Sequence, residues 1–276
     1  MKAIITAAGR DLDRPSNSSL LLLANKPLIR HQLRALRRAG VTDVTISFRC
    51  SEVAEYFRHH SSEGVRVVFD RPGSVCEPAI VVPADVLPCG DLSKPAGCRV
   101  PDVGGGMAIR TADDYLAASA IVLGRLAADP QDLTEVMDGV WADWPVFIDP
   151  AAAITGPAVL GRNCSIAAGA TIIGPCVLGD AAMVCRNAVV SDSIVLPGAA
   201  IGASARVASS IIGECFTIGP GAVFDRCIAA DGASADEASA DEASPAAALP
   251  LEPGSLAIEH SPRGRALAGR TRNEGN

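Results

Sequence analysis

AAAITGPAVLGRNCSIAAGATIIGPCVLGDAAMVCRNAVV, residues 151–190, places an aliphatic side chain at every sixth position: Ile154, Leu160, Ile166, Ile172, Leu178, Val184 and Val190. Extended outward, the pattern begins at Ile148 and reaches Leu196, giving nine consecutive positions. It then slips by one to Ile201, continues at Val207, slips again to Ile212 and runs through Ile218 to Phe224. Two positions before most of these stands a small residue: Ala152, Ala158, Cys164, Ala170, Cys176, Ala182, Ala188, Ala199, Ala205, Ser210 and Ala222, with Ile194 and Phe216 as exceptions. A six-residue step of short strand and tight turn lets three steps close a triangular coil of about eighteen residues. The aliphatic side chain points inward, and the small one fits where the wall bends. Gly and Pro at the turns, such as Pro157, Gly169 and Pro175, supply the backbone conformations that the corners need.

These residues resemble the hexapeptide-repeat family over about residues 146–228. The resemblance implies a left-handed parallel β-helix, read either as a scaffold or as an acyltransferase. Many relatives with this fold are acyltransferases that use a histidine base on a coil, where a neutral imidazole takes the proton of the attacking nucleophile. The histidines here are His31, His59, His60 and His260, and none lies in the coils. Acyl transfer therefore stands as a third reading. Trp141 and Trp144 precede the first coil and are expected to cap its open end.

Composition narrows the remaining classes. The chain has 276 residues, 49% hydrophobic and 20% charged, enough for two domains with sizeable cores, and only 4% aromatic residues. No apolar run is long enough to span a bilayer, and the start MKAIITAAGR is too short and too soon charged for a secretory signal. The net charge of −7 gives no electrostatic support to nucleic-acid binding. The nine cysteines contain no CxxC pair, so zinc ribbons are not expected; reduced thiols in a cytoplasmic protein are. Five of the nine fall in the repeat region, where they read as small apolar side chains.

In the first half, strand and helix alternate. KAIITA enters a polar loop, and PLIRHQLRALRRA (27–39) puts Ile29, Leu33 and Leu36 on one helical face. VTDVTISF, SEVAEYFRHH, VRVVF and AIVVPADVL follow as strand, helix, strand and strand. The pattern predicts a Rossmann-like parallel sheet. The helix of residues 112–127 is expected to pack on that sheet, with Tyr115 in the core. The division expected is an α/β domain at 1–128, a linker at 129–145, the β-helix at 146–230 and a disordered low-complexity tail at 231–276.

MKAIITAAGR, the block NKPLIRHQLRALRRAGVTDVTI and the later DVGGGMAIRTADDYLAAS are similar, in that order, to the sugar-1-phosphate nucleotidyltransferases. In that family a β-helix commonly follows the catalytic domain. The resemblance implies attack of a sugar 1-phosphate on the α-phosphorus of a nucleoside triphosphate, with Mg²⁺ held between substrate phosphates. It places nucleotide binding at Ala7, Ala8 and Gly9, and metal ligands at Asp85 and Asp102, each also readable as an ordinary strand-end or turn aspartate. The family's phosphate loop is not preserved: its second Gly, Thr and Arg are missing, and Ser18 stands where the catalytic Lys belongs. Lys26 matches the lysine of the family's KPL. Only seventeen positions separate Asp85 from Asp102, so the part of the domain that reads the sugar is absent. The expectation is a relative with lost or weakened catalysis that assembles with copies of itself or with a paralogue subunit; the alternative is a purely non-catalytic assembly or regulatory protein. No catalytic residue is assigned.

Overall fold

The computed structural model describes residues 2–6, 17–47, 51–69, 79–89 and 106–229, with short strands at 234–235, 248–250, 256–261 and 264–269. It divides into two compact units, Met1–Ile109 and Arg110–Asn276.

The first unit is built on four parallel strands, β1 (Lys2–Thr6), β2 (Asp43–Ile46), β3 (Arg66–Phe69) and β4 (Ile80–Pro83), in the order β3-β2-β1-β4. Alternation decides which face is inside: Ala3 and Ile5 of β1 and Val44 and Ile46 of β2 are buried. Helix α1 (Leu28–Arg38) closes that face with Ile29, Leu33 and Leu36. It ends at Gly40, whose φ of +80° only glycine adopts without strain. Helix α2 (Ser51–His59) adds Val53 to the same core. The parallel sheet expected from the sequence is therefore present.

The second unit begins earlier than the expected boundary at 128. Helix α3 (Ala112–Arg125) belongs to it, started by a capping box in which Asp114 N donates to Thr111 Oγ1 (3.1 Å) and Thr111 N to Asp114 Oδ2 (2.9 Å). Tyr115 is fully buried, as expected. The body of the unit is a parallel β-solenoid of three sheets. Sheet one carries Val140–Ala142, Ala158–Leu160, Cys176–Leu178, Ile194–Val195, Ile211–Ile212 and Cys227–Ala229. Sheet two runs from Phe147–Ile148 to Thr217–Ile218, and sheet three from Ala153–Thr155 to Val223–Asp225. The expected linker at 129–145 is part of the solenoid. Val140–Ala142 pairs with Ala158–Leu160 as the first rung, and Thr134–Met137 folds antiparallel onto it.

The interior is the expected aliphatic column, with one correction to its phase. The inward residue of the fourth sheet-one rung is Val195, paired with Leu178, and not Leu196. The first slip thus falls between Val190 and Val195, and the next between Val207 and Ile212, each on entry to sheet one. With Val195 in place, Ser193 is the small residue two positions earlier, and the exception at Ile194 disappears. Phe216 remains inward and fully buried, edge-on to Phe224 at 6.1 Å between ring centroids.

Corner chemistry explains the change of length. Ile172 pairs with Val190 eighteen positions on, through a corner containing Gly174 and Pro175. Val190 pairs with Val207 only seventeen on. The shorter corners turn on single residues with positive φ, Asp192, Ser209 and Arg226. Serine completes them: Ser193 Oγ donates to Ser191 O (2.6 Å) and accepts from Ser210 N (3.0 Å), and Ser210 Oγ donates to Ala208 O (2.6 Å) and accepts from Cys227 N (3.0 Å). Each hydroxyl satisfies a corner amide of the next coil.

Sheet one is apolar on both sides. Its outward column, Trp141, Val159, Val177, Ile194, Ile211 and Ile228, is buried throughout. α3 lies along this side, with Leu116, Ala117 and Ala120 beside Val177 and Ile194. The helix therefore packs on the solenoid. This also corrects the tryptophans: Trp141 is a member of the outward column, and Trp144 is 55% exposed, so neither covers the first rung. Val136, on the antiparallel strand, packs against the interior there.

Of the cysteines expected as small interior residues, Cys164 and Cys176 are buried, whereas Cys185 and Cys227 are half-buried and Cys215 is exposed. All five are free thiols. The tail at 231–276, expected to be disordered, falls mostly outside the described residues. Those described include Ser234–Ala235, continuing sheet two, Ala248–Pro250, antiparallel to Cys227–Ala229, and a hairpin of Leu256–Ser261 with Gly264–Gly269.

Candidate functional site

In an open sheet of order β3-β2-β1-β4, successive strands lie to one side of β1 until β4 returns to its other side. The crevice beyond the carboxyl ends of β1 and β4 is the topological switch point, where such folds receive ligands because the loops there diverge. Thr6 pairs with Pro83 at that end, and Ala84 N donates to Thr6 O at 2.8 Å. The two-residue turn that follows is Ala84–Asp85.

Asp85 is thereby held directly beside the point where the chain leaves β1. It is 6% exposed, and its backbone carbonyl accepts from Ile109 N at 2.8 Å. The chain then folds back, with Val86–Pro88 antiparallel to Gly106–Ala108. Ala7, Ala8, Gly9 and Asp102 lie outside the described residues, as does the whole loop of residues 7–16. Among the described residues no three His, Cys, Asp or Glu side chains group into a metal cage. A magnesium ion that keeps most of its ligands as water and phosphate oxygens needs only one or two protein carboxylates, and Asp85 is the carboxylate that this turn carries.

A residue that sequence reasoning missed fixes the turn. Gln32 of α1 is fully buried, and its Nε2 donates to Pro83 O at 2.9 Å and Val86 O at 2.8 Å, one on each side of Ala84–Asp85. The available signal was a polar amide between Leu28 and Ile29 on one side and Leu33 and Leu36 on the other, on the face that must be buried. Lys26, matched to the family's KPL, sits in the short strand Lys26–Pro27 that leads into α1.

The solenoid offers a different surface. A groove of about 270 Å³ runs between α3 and a corner of the coils, floored by Leu116, Val177 and Ile194 and edged by Asp113, Asp192 and Arg226. No histidine falls between residues 106 and 229. The buried thiols are poor substitutes for a base or nucleophile, because burial pushes Cys164 up to about 12 and Cys176 up to about 11.

The model of the family described as GlmU-like, C-terminal hexapeptide matches residues 154–235 of this chain. No curated protein matches it. Among solved structures, the acetyltransferase domain of PglB from Neisseria gonorrhoeae FA1090 is 15% identical, with 91% of this chain and 99% of that one covered at a TM-score of 0.29. A putative acetyltransferase from Bacillus cereus is 14% identical, with 33% of this chain and 77% of that one covered at a TM-score of 0.15.

Proposed function

We propose that the first unit recognises the phosphates of a magnesium nucleoside triphosphate, as a relative of the sugar-1-phosphate nucleotidyltransferases whose transfer chemistry is lost or weakened. The observation that carries this reading is the placement of Asp85 at the switch point between β1 and β4, directly after Ala84, whose N donates to Thr6 O at the end of β1. A carboxylate there meets a metal that neutralises phosphate charge; bound magnesium would supply that neutralisation, and Asp85 would orient it. The departures in the loop after β1 remove the donors and the lysine that stabilise charge on the α-phosphorus and the departing pyrophosphate during nucleotidyl transfer, so binding outlasts turnover. The solenoid serves as a rigid platform on which copies or paralogue subunits assemble. Its sheet-two outer column of Phe147, Ser165, Met183, Ala200 and Thr217 carries no charge.

Calorimetric titration of the full chain with each nucleoside triphosphate and magnesium tests the reading. At least one nucleotide binds, and Asp85→Asn weakens it by about tenfold or more. Pyrophosphate release with a panel of sugar 1-phosphates stays near background. Absence of binding, or equal binding by the variant, contradicts the proposal.

A second reading, acyl transfer on the solenoid, is favoured by the family match over residues 154–235. It requires a general base from outside the coils. Thiol release from acyl-coenzyme A with sugar or amine acceptors, in the absence of nucleotide, selects it over the first.

A further inference from the structure

We infer that Gln32 is a positioning residue, which tethers the Ala84–Asp85 turn and so fixes where Asp85 sits at the carboxyl ends of β1 and β4; this rests on the nucleotide reading above. The turn's backbone contacts include Ala84 N to Thr6 O and Ile109 N to Asp85 O, both at 2.8 Å. Gln32 adds a brace from the helix packed behind the sheet. Both hydrogen bonds come from one amide nitrogen, to carbonyls 51 and 54 positions later in the chain.

The amide's other atom shows why the brace is not explained by packing. Gln32 Oε1 is buried and has no hydrogen-bond partner among the described residues. A buried acceptor left unpaired is destabilising. Rotating the amide to turn Oε1 elsewhere would lose the bonds to Pro83 O and Val86 O. An apolar side chain of the same volume would fill the space between Ile29, Leu33 and Leu36 without that cost. The amide is therefore worth its place for the two donated bonds, and those bonds hold one thing: the segment that carries Asp85.

Gln32→Met keeps the volume and removes both donors. Its melting temperature is expected within about 5 °C of wild type, because the lost bonds and the relieved acceptor oppose each other. Hydrogen exchange of the Ala84 and Ile109 amides quickens about tenfold or more, while Val44 and Ile46 of β2 keep their protection. Affinity for the magnesium nucleotide falls about tenfold, as it does for a residue that orients a ligand it does not touch. A stable fold with loosened turn amides and weakened binding is a combination that a purely structural role would not produce. Unchanged protection at Ala84 and Ile109 overturns the inference. If Asp85→Asn weakens binding but Gln32→Met does not, the tether is refuted and the nucleotide reading stands. If the wild-type chain binds no nucleotide, that reading fails, and the exchange rates alone decide the tether. Gln32→Leu serves as the second variant should Gln32→Met not fold.

Discussion

Ile172→Asp unfolds the solenoid, whereas Ile173→Asp, one residue along, leaves it nearly unchanged. Ile172 is fully buried and stacked between Ile154 and Val190 in sheet three. Removing such a side chain alone costs about 2–5 kcal/mol. A carboxylate in its place has no cation to pair with in an interior of aliphatic, Cys, Ala and Phe side chains, so the total exceeds about 5 kcal/mol. Coils contact only their neighbours, and the loss of one rung also uncovers the faces above and below it. Ile173 points outward and is 43% exposed, so aspartate there changes stability by about 0.5 kcal/mol or less. Circular dichroism and thermal melting of the two variants check the contrast. A cooperative, wild-type-like melt for Ile172→Asp would mean that the aliphatic column is not the interior.

Acid weakens the first unit through His31. This imidazole is buried in α1, and Nε2 lies 3.0 Å from Leu23 O. Burial lowers its pKa from 6.5 to about 4; backbone hydrogen bonds at Leu23 and Lys26 oppose the shift, and the charges of Arg34 and Arg30 add to it. The folded form holds the neutral ring, so the stabilisation is complete above the unfolded pKa of 6.5 and is lost as the pH falls toward the folded value of about 4. Across that window the loss amounts to about 3 kcal/mol, since each unit is worth about 1.4 kcal/mol. Hydrogen exchange of β1 and α1 amides, corrected for intrinsic rates, reports it. Protection falls between pH 7 and pH 4.5, and His31→Phe flattens that component of the dependence. Equal stability at the two pH values would show that the ring is not held neutral.

Much of this architecture was legible in one dimension. The six-residue aliphatic period names the interior side chains of the coils because a solenoid repeats the same environment, so each coil votes for the same pattern. It misplaced the first slip because Val195 and Leu196 are both aliphatic and only the pairing of Leu178 with Val195 separates them. The outward column from Trp141 to Ile228 was harder to see. Its residues sit between inward ones and read as ordinary strand formers, yet their burial is what binds α3 to the coils and assigns that helix to the second unit. Interior position was also overestimated for cysteine: Cys215 has a positive φ at a corner and is exposed.

Of the candidate site, Asp85 was nominated by resemblance, and its placement at the switch point follows from strand order, which no local pattern reveals. Gln32 was missed because its partners lie about fifty residues away. Its polarity on an apolar helix face was the only local trace. Ala7, Ala8, Gly9 and Asp102 lie outside the described residues, so their part in the site rests on the resemblance alone.

Amide chemical-shift mapping with a magnesium nucleoside triphosphate tests the central claim most directly. The account predicts perturbations concentrated at Thr6, Ala84, Asp85 and Val86, at the carboxyl ends of β1 and β4. Perturbations confined to residues 140–229, or none at saturating nucleotide, would contradict it.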